Sequence, residues 1–175
     1  MKVGLFDHVE WGDRPLATLF DERLQFAAAA DEAGIYCLHV AEHHATPLNM
    51  VPVPGVWLGA LARATRRMRL GPLVYLLSLY NPVRLLEEIC MLDHLSQGRL
   101  DVGIGRGASG HELAYFGIDP DQAPAMYVEA YNVIKQALTQ SNASMKMSRD
   151  WSCSTLWYLS SNGETPRPTP TSSRP

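Results

Sequence analysis

Four short apolar runs, residues 3–6, 36–41, 68–77 and 100–104, begin 33, 32 and 32 residues apart. Each is followed by a segment long enough for a helix. A strand and helix alternating at about 30 residues per unit is the pattern of repeated βα units around a parallel sheet. Crossovers in such units are right-handed almost without exception, so residues 1–140 are expected to form four successive βα units with parallel strands in sequential order.

The intervening segments carry their own start and stop signals. Leu16, Phe20, Leu24, Ala27 and Ala28 keep helical spacing after Pro15, and Gly34 follows where a left-handed residue ends a helix. Asn81 suits a cap, Pro82 a first position, Leu85, Ile89, Leu92 and Leu95 a stripe, and Gly98 a stop. A further helix is predicted over about 124–140 through Tyr127, Tyr131, Ile134 and Leu138, and a short one near 54–64.

Beyond residue 140 the character changes: 17 of the 35 residues from 141 to 175 are Ser, Thr or Pro. Such composition buries too little surface to offset chain entropy, so this Ser/Thr/Pro-rich tail is expected to be disordered, from about Asn162 onward above all. Trp151, Leu156, Trp157 and Leu159 could dock as a small apolar patch.

With 46% hydrophobic and 19% charged residues, the 175-residue chain has material for one core. A net charge of -3 with scattered Lys and Arg argues against nucleic acid as a partner. The apolar stretches at 50–62 and 70–79 are shorter than the roughly 20 residues of a membrane span, and the N-terminal residues match neither a signal nor a transit peptide. The expectation is a soluble cytoplasmic protein. Cys37, Cys90 and Cys153 form no Cys-x-x-Cys pair, which disfavours a disulfide framework or a zinc ribbon.

In a parallel βα barrel the loops after the strands converge on one mouth, and functional groups gather there. The strand ends carry Asp7 and His8, then Glu42, His43 and His44, then residues 78–81, then Gly105, Arg106 and Gly107. A histidine at such a place can move a proton near neutral pH while a neighbouring carboxylate sets its tautomer. Alternatively both histidines only bond backbone at a strand end. A metal site is a third reading, weakened because adjacent strand side chains point to opposite faces. In the run 103–110, glycines let the backbone approach a ligand and Arg106 supplies a permanent cation suited to a phosphate. Gly105, Gly107 and Gly110 spell a dinucleotide fingerprint, but in the fourth unit rather than the first, where its usual meaning does not apply.

Val-Gly-Leu-Phe from Val3, Ala-Glu-His-His ending at His44, Asn-Pro-Val-Arg from Asn81 with Glu87 and Glu88 after it, Leu-Asp-His-Leu-Ser-Gln-Gly-Arg-Leu-Asp ending at Asp101 and Val-Gly-Ile-Gly-Arg-Gly ending at Gly107 resemble, in order and spacing, the bacterial luciferase-like monooxygenases. The likeness covers residues 1 to about 140. It implies an α/β fold, half of a (β/α)8 TIM barrel whose strand C-termini hold FMN or, in some branches, a deazaflavin. It implies a reduced flavin delivered by a separate reductase, used with oxygen on a small organic substrate. By the same resemblance His43 is the catalytic histidine with Glu42 before it, Arg106 holds the flavin phosphate beside Gly105, Gly107 and Asn81, and Leu73 and Val74 form the pair behind the flavin ring. Gly105 stands where luciferase has a reactive cysteine, so light emission is not implied, and Pro124 stands where many relatives have a second phosphate-binding arginine.

Two other kinds of protein fit parts of the same pattern. With four of the eight units, the expected monooxygenase would be a truncated form; the alternative is a non-catalytic fragment or interaction subunit of such a barrel, and open strand edges make either prone to homo-oligomerise or aggregate. A metal-dependent hydrolase barrel could be built on Asp7, His8 and His43.

Overall fold

The computed structural model describes residues 1–107, 109–139 and 156–158. Its elements are β1 (Gly4–Asp7), α1 (Leu16–Glu32), β2 (Cys37–Val40), α2 (Pro54–Ala64), β3 (Arg69–Pro72), β4 (Tyr75–Leu76), a 3-10 turn (Leu77–Leu79), α3 (Pro82–Ser96), β5 (Val102–Gly105), α4 (Gly110–Tyr115), α5 (Ala123–Thr139) and β6 (Leu156–Tyr158). All strand pairs are parallel, in the orders β1-β2-β3 and β4-β5-β6, and a bridge from Leu70 to Leu100 joins the two groups. This is the α/β architecture that the 32-residue spacing demands, part of a (β/α)8 barrel.

The run 68–77 is not one strand. It breaks between β3 and β4 at Leu73 and Val74, whose shared peptide bond is cis, and the Leu73 N–H donates instead to the Val40 carbonyl at 2.7 Å. At the other end of the chain, β6 pairs with β5 inside the tail. The composition of that segment suggested an apolar patch around Leu156 and Trp157 and no strand; the disorder expected from Asn162 falls outside the described residues.

Alternation along the strands sorts the two faces. Leu38, Val40, Leu70, Val102 and Ile104 are buried in the core with Leu58 and Leu61 of α2, Leu85 and Ile89 of α3 and Ile134 of α5. The opposite, inner face carries Gly4, Cys37 and Arg69 in one register and Phe6, His39 and Gly71 in the next. Asp101 joins the first layer: Arg69 Nε donates to both its carboxylate oxygens at 2.9 Å, and the His39 ring lies 3.8 Å away.

Helix α3 ends as its sequence dictates. The Asn81 side chain accepts from the N–H groups of Val83 and Arg84, Pro82 leads the first turn, and Gln97 and Gly98 take positive φ at the exit. Its inward face is Leu85, Ile89, Cys90 and Leu92, whereas Leu95 is exposed. Helix α1 keeps most of the expected stripe: Ala27 is buried, Phe20 and Leu24 pack against the core and Leu19 and Ala30 join them, whereas Leu16 is exposed. At its C-terminal end buried Asp31 accepts from the N–H groups of Arg66 at 2.7 Å, Arg67 at 3.1 Å and Met68 at 2.6 Å and so ties the helix to the segment that leads into β3. Burial raises the Asp31 carboxyl, and those three N–H groups more than offset it, leaving it below the usual aspartate range. Arg99 ties α2 down in the same way, donating to the carbonyls of Ala62, Thr65 and Met68.

Candidate functional site

Because β2, β4 and β5 run parallel, the residues that follow them share one rim, and hydrogen bonds connect those residues directly. Glu42, with 2% exposure, receives the Leu76 N–H at 3.1 Å on one oxygen and the His44 ring at 2.9 Å on the other. Burial pushes its carboxyl up, and the bonds from His44, Leu76 and the Tyr80 hydroxyl draw it part of the way back. Burial together with the Glu42 and Glu88 charges pushes the Tyr80 hydroxyl well above the usual range. Ser78, just after β4, donates its hydroxyl to the Arg106 carbonyl at 2.5 Å. Glu42, His43 and Arg106 are therefore carried by neighbouring segments of one rim.

His43 turns toward α4. Its Nδ1 lies 3.2 Å from Glu112 Oε1, and the same oxygen accepts the His44 backbone N–H at 2.9 Å. The ring stacks on His8 with centroids 5.6 Å apart and planes within 6°, and His8 meets Phe6 edge-on at 4.8 Å. The buried Nδ1 of His8 has no hydrogen-bond partner among the described residues. The strand end beneath is held by Asn49, whose side-chain N–H donates to the Ala41 carbonyl at 3.0 Å.

Glu112 and Asn49 were missed in the sequence. A signal for the first existed: Ser109-x-x-Glu112 has the spacing of a capping box, and the Ser109 hydroxyl does accept the Glu112 N–H at 3.3 Å. The Glu112 carboxylate, however, reaches His43 and His44, 69 and 68 residues earlier in the chain.

The glycines expected near a cofactor have identifiable structural roles. A Cβ on Gly105 would sit 2.6 Å from Val74 Cγ2, and one on Gly103 would sit 3.3 Å from Leu73 Cδ1 and Val74 Cγ1. Leu73 and Val74 thus lie against a floor of two glycines. Gly107 has φ of +79, which turns the chain sharply after Arg106. The Arg106 guanidinium makes no hydrogen bond or ion pair with any described residue, although Arg69 and Arg99 are fully engaged. Asn81 follows the 3-10 turn after β4, with its side-chain oxygen taken up by the α3 cap.

The hydrolase reading finds no ligand set. Among the described residues no group of three His, Cys, Asp or Glu side chains is placed to hold a metal ion. Asp7 instead accepts the Val9 N–H at 2.9 Å and faces Arg23 at 3.6 Å. No helix among the described residues is long and apolar enough to cross a membrane.

The profile of the luciferase-like monooxygenase family matches residues 1–172. A protein of Sinorhizobium fredii (strain NBRC 101917 / NGR234), y4wF, is 48% identical over 146 residues, which are 83% of this chain and 43% of that one. The oxygenase component of the flavin-dependent trigonelline monooxygenase of Acinetobacter baylyi is 34% identical over 114 residues, 64% of this chain and 32% of its own. Among solved structures, the oxygenating constituent of 3,6-diketocamphane monooxygenase from Pseudomonas putida, in complex with FMN, superposes with a TM-score of 0.74 at 26% identity, covering 81% of this chain and 40% of that one. The chain spans less than half the length of these relatives.

Proposed function

The chain belongs to the luciferase-like monooxygenase family, and we propose that it carries the phosphate-binding and proton-handling part of an FMN-dependent monooxygenase site that oxidises a small organic substrate. The observation that carries the reading is Arg106: a permanent cation with no partner among the described residues, on a glycine-flanked turn, on the rim that holds His43. The residues present fit an anionic, planar cofactor. Arg106 would hold its phosphate, and the Leu73–Val74 pair over Gly103 and Gly105 offers an apolar surface for a ring. When bound, reduced flavin supplies the electrons that activate oxygen, and a separate reductase supplies the reduced flavin. His43 holds or moves a proton at the rim. Glu42, buried and bonded to His44 and Leu76, acts by keeping that rim in place. A deazaflavin with a phosphate in its tail would meet the same arginine, and the FMN complex of a 26% identical structure favours FMN.

FMN and riboflavin differ by the phosphate alone, so comparing them isolates Arg106. One charge-assisted contact, at about 1.5–3 kcal/mol, predicts that the protein binds FMN about 10- to 100-fold more tightly than riboflavin. Arg106→Ala is expected to erase that preference while leaving riboflavin affinity unchanged, as read by flavin fluorescence titration. Equal affinities in the unaltered protein would remove the proposal's main support.

A second reading, a non-catalytic interaction subunit, is favoured by two observations. Phe6 on the inner face is 51% exposed, and the outer edge of β1 pairs with no described strand. Protein that associates and shows no flavin binding in the same titration would support it.

A further inference from the structure

We propose that Glu112 is a positioning residue that locks the His43 imidazole in its Nδ1–H tautomer, making Nε2 the nitrogen through which His43 exchanges protons at the rim. What that proton serves rests on the monooxygenase reading; the tautomer itself does not.

Matching donors to acceptors decides the tautomer. A backbone N–H can only donate, so the His44 N–H, 2.9 Å from Glu112 Oε1, identifies that oxygen as an acceptor. The same oxygen lies 3.2 Å from His43 Nδ1. An acceptor facing Nδ1 requires the hydrogen to sit on Nδ1, and a neutral imidazole then carries its lone pair on Nε2. No described group hydrogen-bonds Nε2, and the His43 side chain is 35% exposed. An isolated neutral histidine prefers the other tautomer, with the hydrogen on Nε2, so the arrangement needs a partner that holds it.

Glu112 is built to be that partner. Its side chain is 8% exposed, too buried to swing into solvent. Its backbone is fixed by the Ser109 cap, and its carboxylate takes a path away from that cap. The ring it faces lies nearly parallel to that of His8, with centroids 5.6 Å apart. Glu112 sets which nitrogen is protonated.

The test is long-range proton–nitrogen correlation NMR on the full chain labelled with 15N-histidine, without flavin. The His43 signal is assigned by its loss in His43→Gln. The expected result is Nδ1–H in the unaltered protein and in Glu112→Gln, whose amide oxygen can still accept from both donors, and reversal to Nε2–H in Glu112→Leu, which fills the space without accepting. An Nε2–H form in the unaltered protein, or the same Nδ1–H form in Glu112→Leu, would overturn the proposal. Should Glu112→Leu fail to fold, the unaltered and Glu112→Gln spectra decide, with Nε2–H in either counting against it. Loss of FMN binding with the Nδ1–H tautomer intact would count against the flavin reading alone.

Discussion

Gly71→Ala is expected to leave no folded protein, or at the least to lower the melting temperature by about 10 °C. Gly71 lies in β3 where the bridge from Leu70 to Leu100 joins the two groups of strands. A Cβ on it would run into the backbone carbonyl of Asp101, and a backbone atom cannot swing aside as the end of a side chain can. The only relief is to separate β3 from β5. That movement breaks the hydrogen bond from the Asp101 N–H to the Leu70 carbonyl at 2.7 Å and pulls Arg69 from Asp101. Overpacking of this kind costs about 3 kcal/mol or more, and each kcal/mol moves the midpoint of a chain this size by about 2–4 °C. Gly59→Ala is the internal comparison. It lies in the middle of α2, and an added methyl there would meet nothing within 4 Å, so the change is expected to raise stability by about 0.5–1 kcal/mol through helix propensity. Thermal unfolding of the two variants side by side tests both; a Gly71→Ala protein as stable as the parent would mean that β3 and β5 do not approach as described.

Asp101→Ala is expected to cost about 3 kcal/mol, because it leaves the half-buried Arg69 guanidinium facing the inner sheet without a counter-ion. The loss should depend on pH, and its sign follows from the charges. Burial raises the Asp101 carboxyl, but the His39 ring and the Arg69 guanidinium more than offset it, so in the fold it titrates below the usual aspartate range. A depressed folded pKa contributes stability that is fully present above the unfolded value near about 3.9 and is lost as the pH falls through the folded value. Asp31 contributes with the same sign. Glu42 opposes them: its raised carboxyl favours the fold most when protonated and less as the pH rises through its folded value. Denaturant unfolding from neutral pH down to about pH 3 is therefore expected to show acid weakening in the parent below about pH 4. The slope should be shallower in Asp101→Ala. Identical slopes in the two proteins would show that Asp101 is not held by Arg69 and His39.

The features legible in the sequence were those that local chemistry or periodicity encodes. Asn81, Pro82 and Gly98 bound α3 through caps made within a few residues of each other, so their meaning survives without neighbours. The strand ends were legible for the same reason: polar residues after an apolar run mark where a parallel strand leaves the sheet, which brought His43, Glu42 and Arg106 to one rim. The grip of Asp31 on residues 66–68 was not legible, because it joins groups 35 to 37 residues apart. Nor was β6, since the Ser, Thr and Pro around it dominate the composition while its partner, the edge of β5, lies more than 50 residues earlier.

Chain order thus settled the class of fold and the parallel strands, because a repeat near 32 residues admits few other topologies. Tertiary structure decided what each site residue faces. Glu112 meets His43 across 69 residues, Asp101 meets Arg69 across 32, and Gly71 must stay bare because the Asp101 carbonyl occupies the space beside it. Hydrogen bonds and close contacts act over about 3 Å in space and carry no mark in the chain until the fold brings their two ends together.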